Sequence, residues 1–67
     1  MPSDQASEIQ RRMFYFIVKY IQDEGVPPTK REIGTALHIA SIGHVDYHLS
    51  MLENKGLITV NRKNLAV

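Results

Sequence analysis

Residues 29–54 read TKREIGTALHIASIGHVDYHLSMLEN, and this stretch carries the start signals of two helices. Thr29 and, three positions later, Glu32 form a capping box, in which each side chain satisfies a backbone N–H group of the other residue. The box predicts a short helix that begins just after Thr29. Ser41 is the next favourable N-cap, and it predicts a longer helix that continues to about Asn54.

Apolar residues at helical spacing predict which side of each helix is buried. We expect the shorter helix to end near His38. Its apolar edge consists of Ile33, Ala36 and Leu37. The expected buried stripe of the longer helix consists of Ile42, Val45, Leu49 and Leu52. Lys55 and Gly56 then end this helix, because a cation is favourable in a last turn and glycine is favourable just after it.

An amphipathic pattern upstream predicts a first helix of about 17 residues, roughly 25 Å long. Ser7 and Gln10 have the spacing of a capping box and set its start, and Gly25 supplies the left-handed residue that ends it. Its apolar face consists of Ile9, Met13, Phe16, Ile17, Tyr20 and Ile21. The polar residues before it predict a flexible N-terminus over 1–5 and a folded domain over 6–67.

The chain changes character after Gly56. Residues 57–60 are rich in β-formers, residues 61–64 are typical of a turn, and residues 65–67 can return antiparallel to the first strand. All elements together predict a mainly α fold with a small β-hairpin. Three helices followed by a hairpin are the order of a winged helix-turn-helix domain.

Length and composition narrow the classes of function that the chain can have. The chain has 67 residues, a formal net charge of +1 and no cysteine. A core this small rarely leaves walls for a deep catalytic pocket, so we expect a single non-enzymatic domain with no catalytic residues and no cofactor. Without cysteine there is neither a disulfide framework nor a thiolate zinc site. Because the net charge is near zero, any basic surface must be local.

From the N-terminal half of the chain we expect no membrane-spanning segment and no signal peptide. The longest apolar run, from Met13 to Val18, is too short to cross a bilayer. Asp4 and Glu8 stand where a signal peptide requires a basic and then an apolar stretch. We therefore expect a cytoplasmic protein with no membrane partner.

The outer face of the third helix has the residue types of a DNA-reading surface. A braced helix that projects from a small domain matches the width of the B-DNA major groove, and a hairpin tip can reach the adjacent backbone. Opposite the apolar stripe the helix carries Gly43, Tyr47, Ser50 and Asn54, flanked by His44, Asp46 and Met51. Most of these side chains are small or form hydrogen bonds, which suits contact with base edges.

The chain resembles the DNA-binding domain of LexA-type repressors from about Ala6 to Val60. The matching pieces are Gly25-Val26-Pro27-Pro28-Thr29-Lys30-Arg31-Glu32-Ile33, Ala36-Leu37, Ser41, His48-Leu49, Leu52 and Lys55-Gly56-Leu57-Ile58. The resemblance implies a bacterial module of the SOS response that represses transcription, is located at the nucleoid and binds palindromic operators as a dimer. The chain stops at Val67, so the family's C-terminal domain, which dimerises and cleaves itself, is expected to be missing, and no protease activity is expected.

The resemblance also implies which residues touch DNA. The base-reading positions at the start of the third helix are Ser41, Gly43, His44, Asp46 and Tyr47. The expected contacts to the DNA backbone are Thr29, Lys30, Arg31, Ser50, Arg62 and Lys63. The family commonly has Pro and Asn where this chain has Ile42 and Gly43, and a carboxylate where it has Tyr47. Asp46 can accept a hydrogen bond from cytosine N4, orient a neighbour or complement the helix N-terminus.

Two further interpretations remain open. His44 and His48 have a spacing that can chelate a metal, but no third ligand is obvious, so we expect no metal site. We expect His48 to be a half-buried structural residue and His44 to touch DNA. The alternative function is a winged-helix module for protein–protein interaction, in which Tyr15, Tyr47 and Met51 are exposed anchors.

Overall fold

The computed structural model describes residues 4–60 and 65–66 of the chain. Over these residues the backbone forms three helices and two short strands. In chain order they are α1 (Asp4–Glu24), α2 (Lys30–Leu37), α3 (Ile42–Asn54), β1 (Thr59–Val60) and β2 (Leu65–Ala66). Each helix packs against the other two. The predicted order of three helices is confirmed, and none of them, over the described residues, is long and apolar enough to cross a membrane.

The two strands are very short. β1 pairs with β2 in antiparallel register, with Thr59 opposite Ala66. The predicted turn between them, which carries Arg62 and Lys63, lies outside the described residues. A small β-hairpin that serves as a wing therefore stays a prediction.

The start of α1 differs from the prediction. The helix begins at Asp4, so Ser7 lies inside it and is not its N-cap. The reason is local, because no Gly or Pro between Asp4 and Ser7 interrupts the helical backbone. Gln10, the other half of the predicted capping box, is 5% exposed and lies against the core. The division of the chain after residue 5 stays a prediction, although Asp4 and Gln5 already belong to α1.

Both predicted caps of the following helices are confirmed. The Thr29 backbone N–H donates to Glu32 Oε1 at 2.7 Å, and the Glu32 N–H donates to Thr29 Oγ1 at 3.1 Å. Ser41 Oγ accepts from the His44 N–H at 3.4 Å at the start of α3. α2 ends at Leu37, and its C-cap, His38, adopts the left-handed conformation with φ 60°. These short-range features fix where α2 begins and ends and where α3 begins, and so define the tight turn between the two helices.

The core lies where the three helices meet and extends to the start of β1. Its buried apolar residues are Met13, Ile17, Ile33, Leu37, Val45, Leu49, Leu52 and Ile58. Burial of one such side chain contributes about 1.5–3 kcal/mol relative to leaving it in water. Two predicted core positions are wrong, because Ala36 and Ile42 are exposed. Ile42 is the first residue of α3 and is 48% exposed.

A close backbone approach joins α2 to the turn. Gly34 is buried, and a Cβ atom built on it would lie 2.9 Å from the carbonyl oxygen of Ile39 and 3.5 Å from a Val45 methyl group. The Gly34 carbonyl also accepts from the Ile39 N–H at 2.8 Å. Gly34 is thus one of the three buried residues of α2, with Ile33 and Leu37. This contact fixes α3 relative to α2.

Candidate nucleic-acid interface

The first half of α3 presents an exposed polar surface. Ser41, Gly43, His44 and Tyr47 are all exposed, and Tyr47 has an exposed fraction of 56%. The opposite side of the helix is fixed in the core by three buried residues, Val45, Leu49 and Leu52. The predicted base-reading residues therefore lie outside the core, on a helix whose apolar side is already occupied.

Asp46 is paired with a cation of α2. Lys30 Nζ lies 2.6 Å from Asp46 Oδ1, and each side chain keeps slightly less than half of its surface exposed. The pair connects the first residue of α2 to the second turn of α3. Of the three roles open to Asp46, contact with a neighbouring residue is the one seen in the structure. The pair also joins Lys30, a predicted contact to the DNA backbone, to Asp46, a predicted base reader.

The remaining predicted backbone contacts that are described lie in two places. Thr29 and Arg31 are exposed at the N-terminus of α2, and Ser50 is exposed in the second half of α3. A helix N-terminus carries unpaired N–H groups and a partial positive charge, which favour an anion such as phosphate. Arg62 and Lys63 lie outside the described residues.

A chain of polar side chains crosses the interior behind the exposed face. Lys55 Nζ donates to Gln10 Oε1 at 2.9 Å, and Gln10 Nε2 lies 3.3 Å from His48 Nδ1. His48 Nε2 lies in turn 3.2 Å from His44 Nε2. These contacts link α1 to both ends of α3. Because they satisfy the buried polar atoms, no described side-chain nitrogen or oxygen is buried without a partner.

His48 is more deeply buried than the sequence indicates. The sequence pattern predicts a half-buried residue, whereas His48 is 2% exposed. Burial lowers the pKa of the His48 imidazole below its usual value of 6.5, and the neighbouring His44 ring lowers it further. The His48 and Tyr47 rings also meet in an edge-to-face arrangement, with centroids 5.1 Å apart. His48 therefore favours the neutral form and supports the residues of the exposed face from behind.

Gln10 is the residue that sequence reasoning missed. Its spacing from Ser7 predicts a helix cap, but Gln10 also precedes Met13 by three residues and Ile17 by seven. This spacing places all three on one face of a helix, and that was the available signal. Glutamine is rarely buried unless its amide is hydrogen-bonded, and here both ends of the amide have partners.

The histidine pair does not extend to a larger ligand cluster. In residues 4–60 and 65–66, no group of three or more His, Cys, Asp or Glu side chains is arranged to hold a metal ion. Both ring nitrogens of His48 already face hydrogen-bonding partners.

The residues expected to anchor a partner protein, in the alternative function, differ in their exposure. Tyr15 on α1 is 66% exposed and Tyr47 is 56% exposed, whereas Met51 is half-buried. Tyr15 lines a shallow pocket of about 340 Å³ together with other residues of α1. The exposed aromatic surface therefore includes Tyr15 on α1 and Tyr47 on α3.

A short capped helix, a tight turn and a longer helix with an exposed polar face are the parts of a helix-turn-helix domain, a class of DNA-binding protein. The family model described as LexA DNA binding domain matches residues 3–64. The chain belongs to the LexA DNA-binding domain family.

Curated relatives agree with this assignment. The LexA repressor of Anaeromyxobacter sp. (strain Fw109-5) is 46% identical over 56 residues, which cover 84% of this chain and 24% of the relative. The LexA repressor of Roseiflexus sp. (strain RS-1) is 48% identical over 56 residues, which cover 84% and 26%. That of Brevibacillus brevis is 48% identical over 52 residues, which cover 78% and 25%. The chain thus spans about a quarter of the length of these relatives.

Proposed function

We propose that the chain binds double-stranded DNA in a sequence-specific manner and acts as a LexA-like module that represses transcription. The proposal rests on the observation that α3 has one buried apolar side and one exposed polar side. Its apolar side is fixed by Val45, Leu49 and Leu52, and its polar side is exposed from Ser41 to Tyr47. The relatives named LexA repressor support the same function.

The first half of α3 enters the major groove in this proposal. The groove of B-DNA accepts one α-helix, and its base edges differ in their donors and acceptors. The proposed readers are Ser41, Gly43, His44, Asp46 and Tyr47. Gly43 contributes no side chain, so it lets the helix backbone approach the bases closely. Tyr47 supplies a hydroxyl group and an aromatic face for the neighbouring base or sugar.

Contacts to the sugar–phosphate backbone position the helix. The proposed residues are Thr29, Lys30, Arg31, Ser50, Arg62 and Lys63. Arg62 and Lys63 are the two cations that the predicted wing would bring to the DNA backbone. The four cations imply a slope of log K against log salt of about −0.9 × 4, or roughly −3.6 per monomer, once Lys30 has left its ion pair with Asp46.

Useful specificity requires two copies in this proposal. One small module makes few base contacts and binds weakly, whereas two copies on adjacent half-sites of a palindromic operator combine their affinities. A homodimer on DNA, with control of genes of the SOS response in a bacterial nucleoid, is the form of repression that we propose.

The proposal is tested by selecting bound duplexes from a random library with two copies of the chain joined by a flexible linker. We expect one enriched motif with two related half-sites. His44→Ala and Tyr47→Ala should relax individual positions of that motif. Tyr15→Ala on α1 is the matched control, and it should leave the motif unchanged. If no sequence is enriched, DNA recognition is wrong.

The alternative function, protein–protein interaction, is favoured by the exposure of Tyr15 beside the pocket on α1. It predicts no duplex affinity, or an affinity that does not fall with salt. Measurement of duplex binding at two salt concentrations therefore separates the two functions.

A further inference from the structure

The polar chain behind α3 has a direction that follows from its donors and acceptors. The Lys55 ammonium group can only donate, so the Gln10 atom that it meets at 2.9 Å is the amide oxygen. The amide nitrogen of Gln10 therefore faces His48 Nδ1, 3.3 Å away. Since the amide nitrogen can only donate, His48 Nδ1 must accept and cannot carry a proton.

The same reasoning continues to the surface. Neutral His48 must carry its proton on Nε2, and this N–H points at His44 Nε2, 3.2 Å away. His44 Nε2 then accepts, so the proton of neutral His44 lies on Nδ1. His44 is exposed, and Nδ1 is the ring nitrogen that His48 leaves free. Its N–H group is thus available as a donor on the proposed DNA-reading face.

We propose that Gln10, on α1, is a positioning residue for DNA recognition, because it sets the tautomer of His48 and thereby makes His44 present an N–H donor to DNA. This inference rests on the proposed function of α3. The group recognised by His44 is a hydrogen-bond acceptor. In the major groove the acceptors are guanine N7 and O6, adenine N7 and thymine O4, and a phosphate oxygen has the same chemistry.

The burial of Gln10 argues for this role. Gln10 is 5% exposed and His48 is 2% exposed, so water does not compete for the bonds that orient them. Buried histidines commonly have their tautomer fixed by the bond at the second ring nitrogen. The polar chain runs from α1 to His44, which lies three residues after the N-cap of α3. Its last member is thus a proposed reader of bases.

Gln10→Glu reverses the direction of the polar chain. A carboxylate has nearly the same shape and still pairs with Lys55, but it only accepts. In the neutral pair of rings, which is the state to be compared by NMR, His48 Nδ1 must then carry the proton, His48 Nε2 becomes an acceptor, and His44 donates from Nε2. His44 Nδ1 is left as an acceptor. Gln22→Glu is the matched control, because it makes the same change of charge at an exposed position of α1.

Nitrogen-15 NMR of the histidine rings tests the tautomers directly, and the folded state of each variant is checked in the same spectra. In the wild-type chain and in Gln22→Glu we expect the proton of His48 on Nε2 and that of His44 on Nδ1. In Gln10→Glu both should move to the other ring nitrogen. The proposal is overturned if His44 has the same tautomer in Gln10→Glu as in the wild type, or if wild-type His44 carries its proton on Nε2.

Selection of duplexes with the linked dimer tests the consequence for recognition. His44→Ala identifies the position of the motif that His44 reads. At that position Gln10→Glu should lower the wild-type base preference about tenfold, in favour of a base that donates a hydrogen bond, such as cytosine through N4 or adenine through N6. A uniform loss of affinity over all duplexes would instead assign the acceptor to phosphate, with the positioning role intact. An unchanged motif and affinity would refute that role. If the wild-type chain enriches no motif, the proposed function fails, whatever the tautomers are.

Discussion

Lys30 Nζ lies 2.6 Å from Asp46 Oδ1, so an ion pair joins the first residue of α2 to the second turn of α3. Both side chains are partly solvated, and exposed pairs of this kind contribute only about 0.2–1 kcal/mol to stability. We expect the pair to affect DNA binding more than folding. It places a negative charge on the proposed DNA-reading face, and that charge offsets a cation that we assign to phosphate.

Asp46→Asn should strengthen DNA binding. The substitution frees Lys30 for a phosphate group and removes a negative charge from the interface. We expect a higher affinity at low salt and a slope of log K against log salt that is steeper by about one unit. The measurement is the affinity for a selected duplex over a series of salt concentrations.

Asp23→Asn is the control for this substitution. Asp23 pairs with Lys19 on α1 at 3.4 Å, so the change in net charge is the same but lies on a different helix. We expect a much smaller effect on the salt slope. A salt slope that is unchanged in Asp46→Asn, or a loss of affinity for all duplexes, would contradict the prediction, whereas a changed preference at one base pair agrees with the proposed role of Asp46 as a base reader.

Two glycines in the helix-turn-helix should respond differently to alanine. Alanine in the interior of a helix gains about 1 kcal/mol over glycine. At Gly43 the new Cβ meets only Ser41 Oγ at 3.6 Å, an ordinary contact, so we expect a more stable protein. At Gly34 it meets the Ile39 carbonyl oxygen at 2.9 Å, so the turn must shift and the gain is lost. Urea denaturation should rank Gly43→Ala above Gly34→Ala by about 1 kcal/mol or more. The reverse order would show that the turn is not held by this close approach.

Burial of His48 should make the fold sensitive to acid. Its pKa is lower in the folded chain than the usual 6.5, so the unfolded chain takes up the proton first as the pH falls. The contribution to stability is complete above about pH 6.5 and is lost as the pH falls toward the lowered value. We expect the free energy of unfolding to decrease more between about pH 7.5 and about pH 5.5 in the wild type than in His48→Gln.

His44→Gln separates the two causes of this shift. It removes the charge of His44 but leaves His48 buried, and burial is the larger cause. Most of the acid sensitivity should therefore remain. Equal pH dependence in the wild type and His48→Gln would contradict the account.

The capping box of α2 gives a prediction about stability alone. Thr29→Ala removes the oxygen that accepts from the Glu32 N–H at 3.1 Å, and loss of such a cap costs about 1 kcal/mol. Thr29→Ser keeps the oxygen and should unfold at nearly the wild-type urea concentration. If both variants unfold at the same concentration, the hydroxyl group does not stabilise the helix.

Local signals explain how far the sequence alone predicts this fold. The caps at Thr29 and Ser41 involve residues three positions apart, so a short stretch of sequence contains both partners. The helix ends follow for the same reason. The predicted start of α1 is wrong, because the three-residue spacing of Ser7 and Gln10 is that of a capping box but also occurs inside a longer helix.

Contacts between distant residues were beyond such reasoning. Gln10 and His48 are separated by 38 positions, and only the packing of α1 on α3 brings them together. The same holds for Lys30 and Asp46, which the sequence presents as two independent surface charges. Ile42 shows a limit of local patterns. Its periodicity fits the buried stripe of α3, but it is the first residue of that helix and is 48% exposed.

The central claim is that the exposed face of α3 is the surface that meets DNA. The most direct measurement is an NMR titration of the nitrogen-15-labelled chain with a selected duplex. We predict the largest shifts at the amides of Gly43, His44 and Tyr47, with little change at Tyr15 and Asp23 on α1. Large shifts at Tyr15 and Asp23, with the three amides of α3 unmoved, would contradict the account.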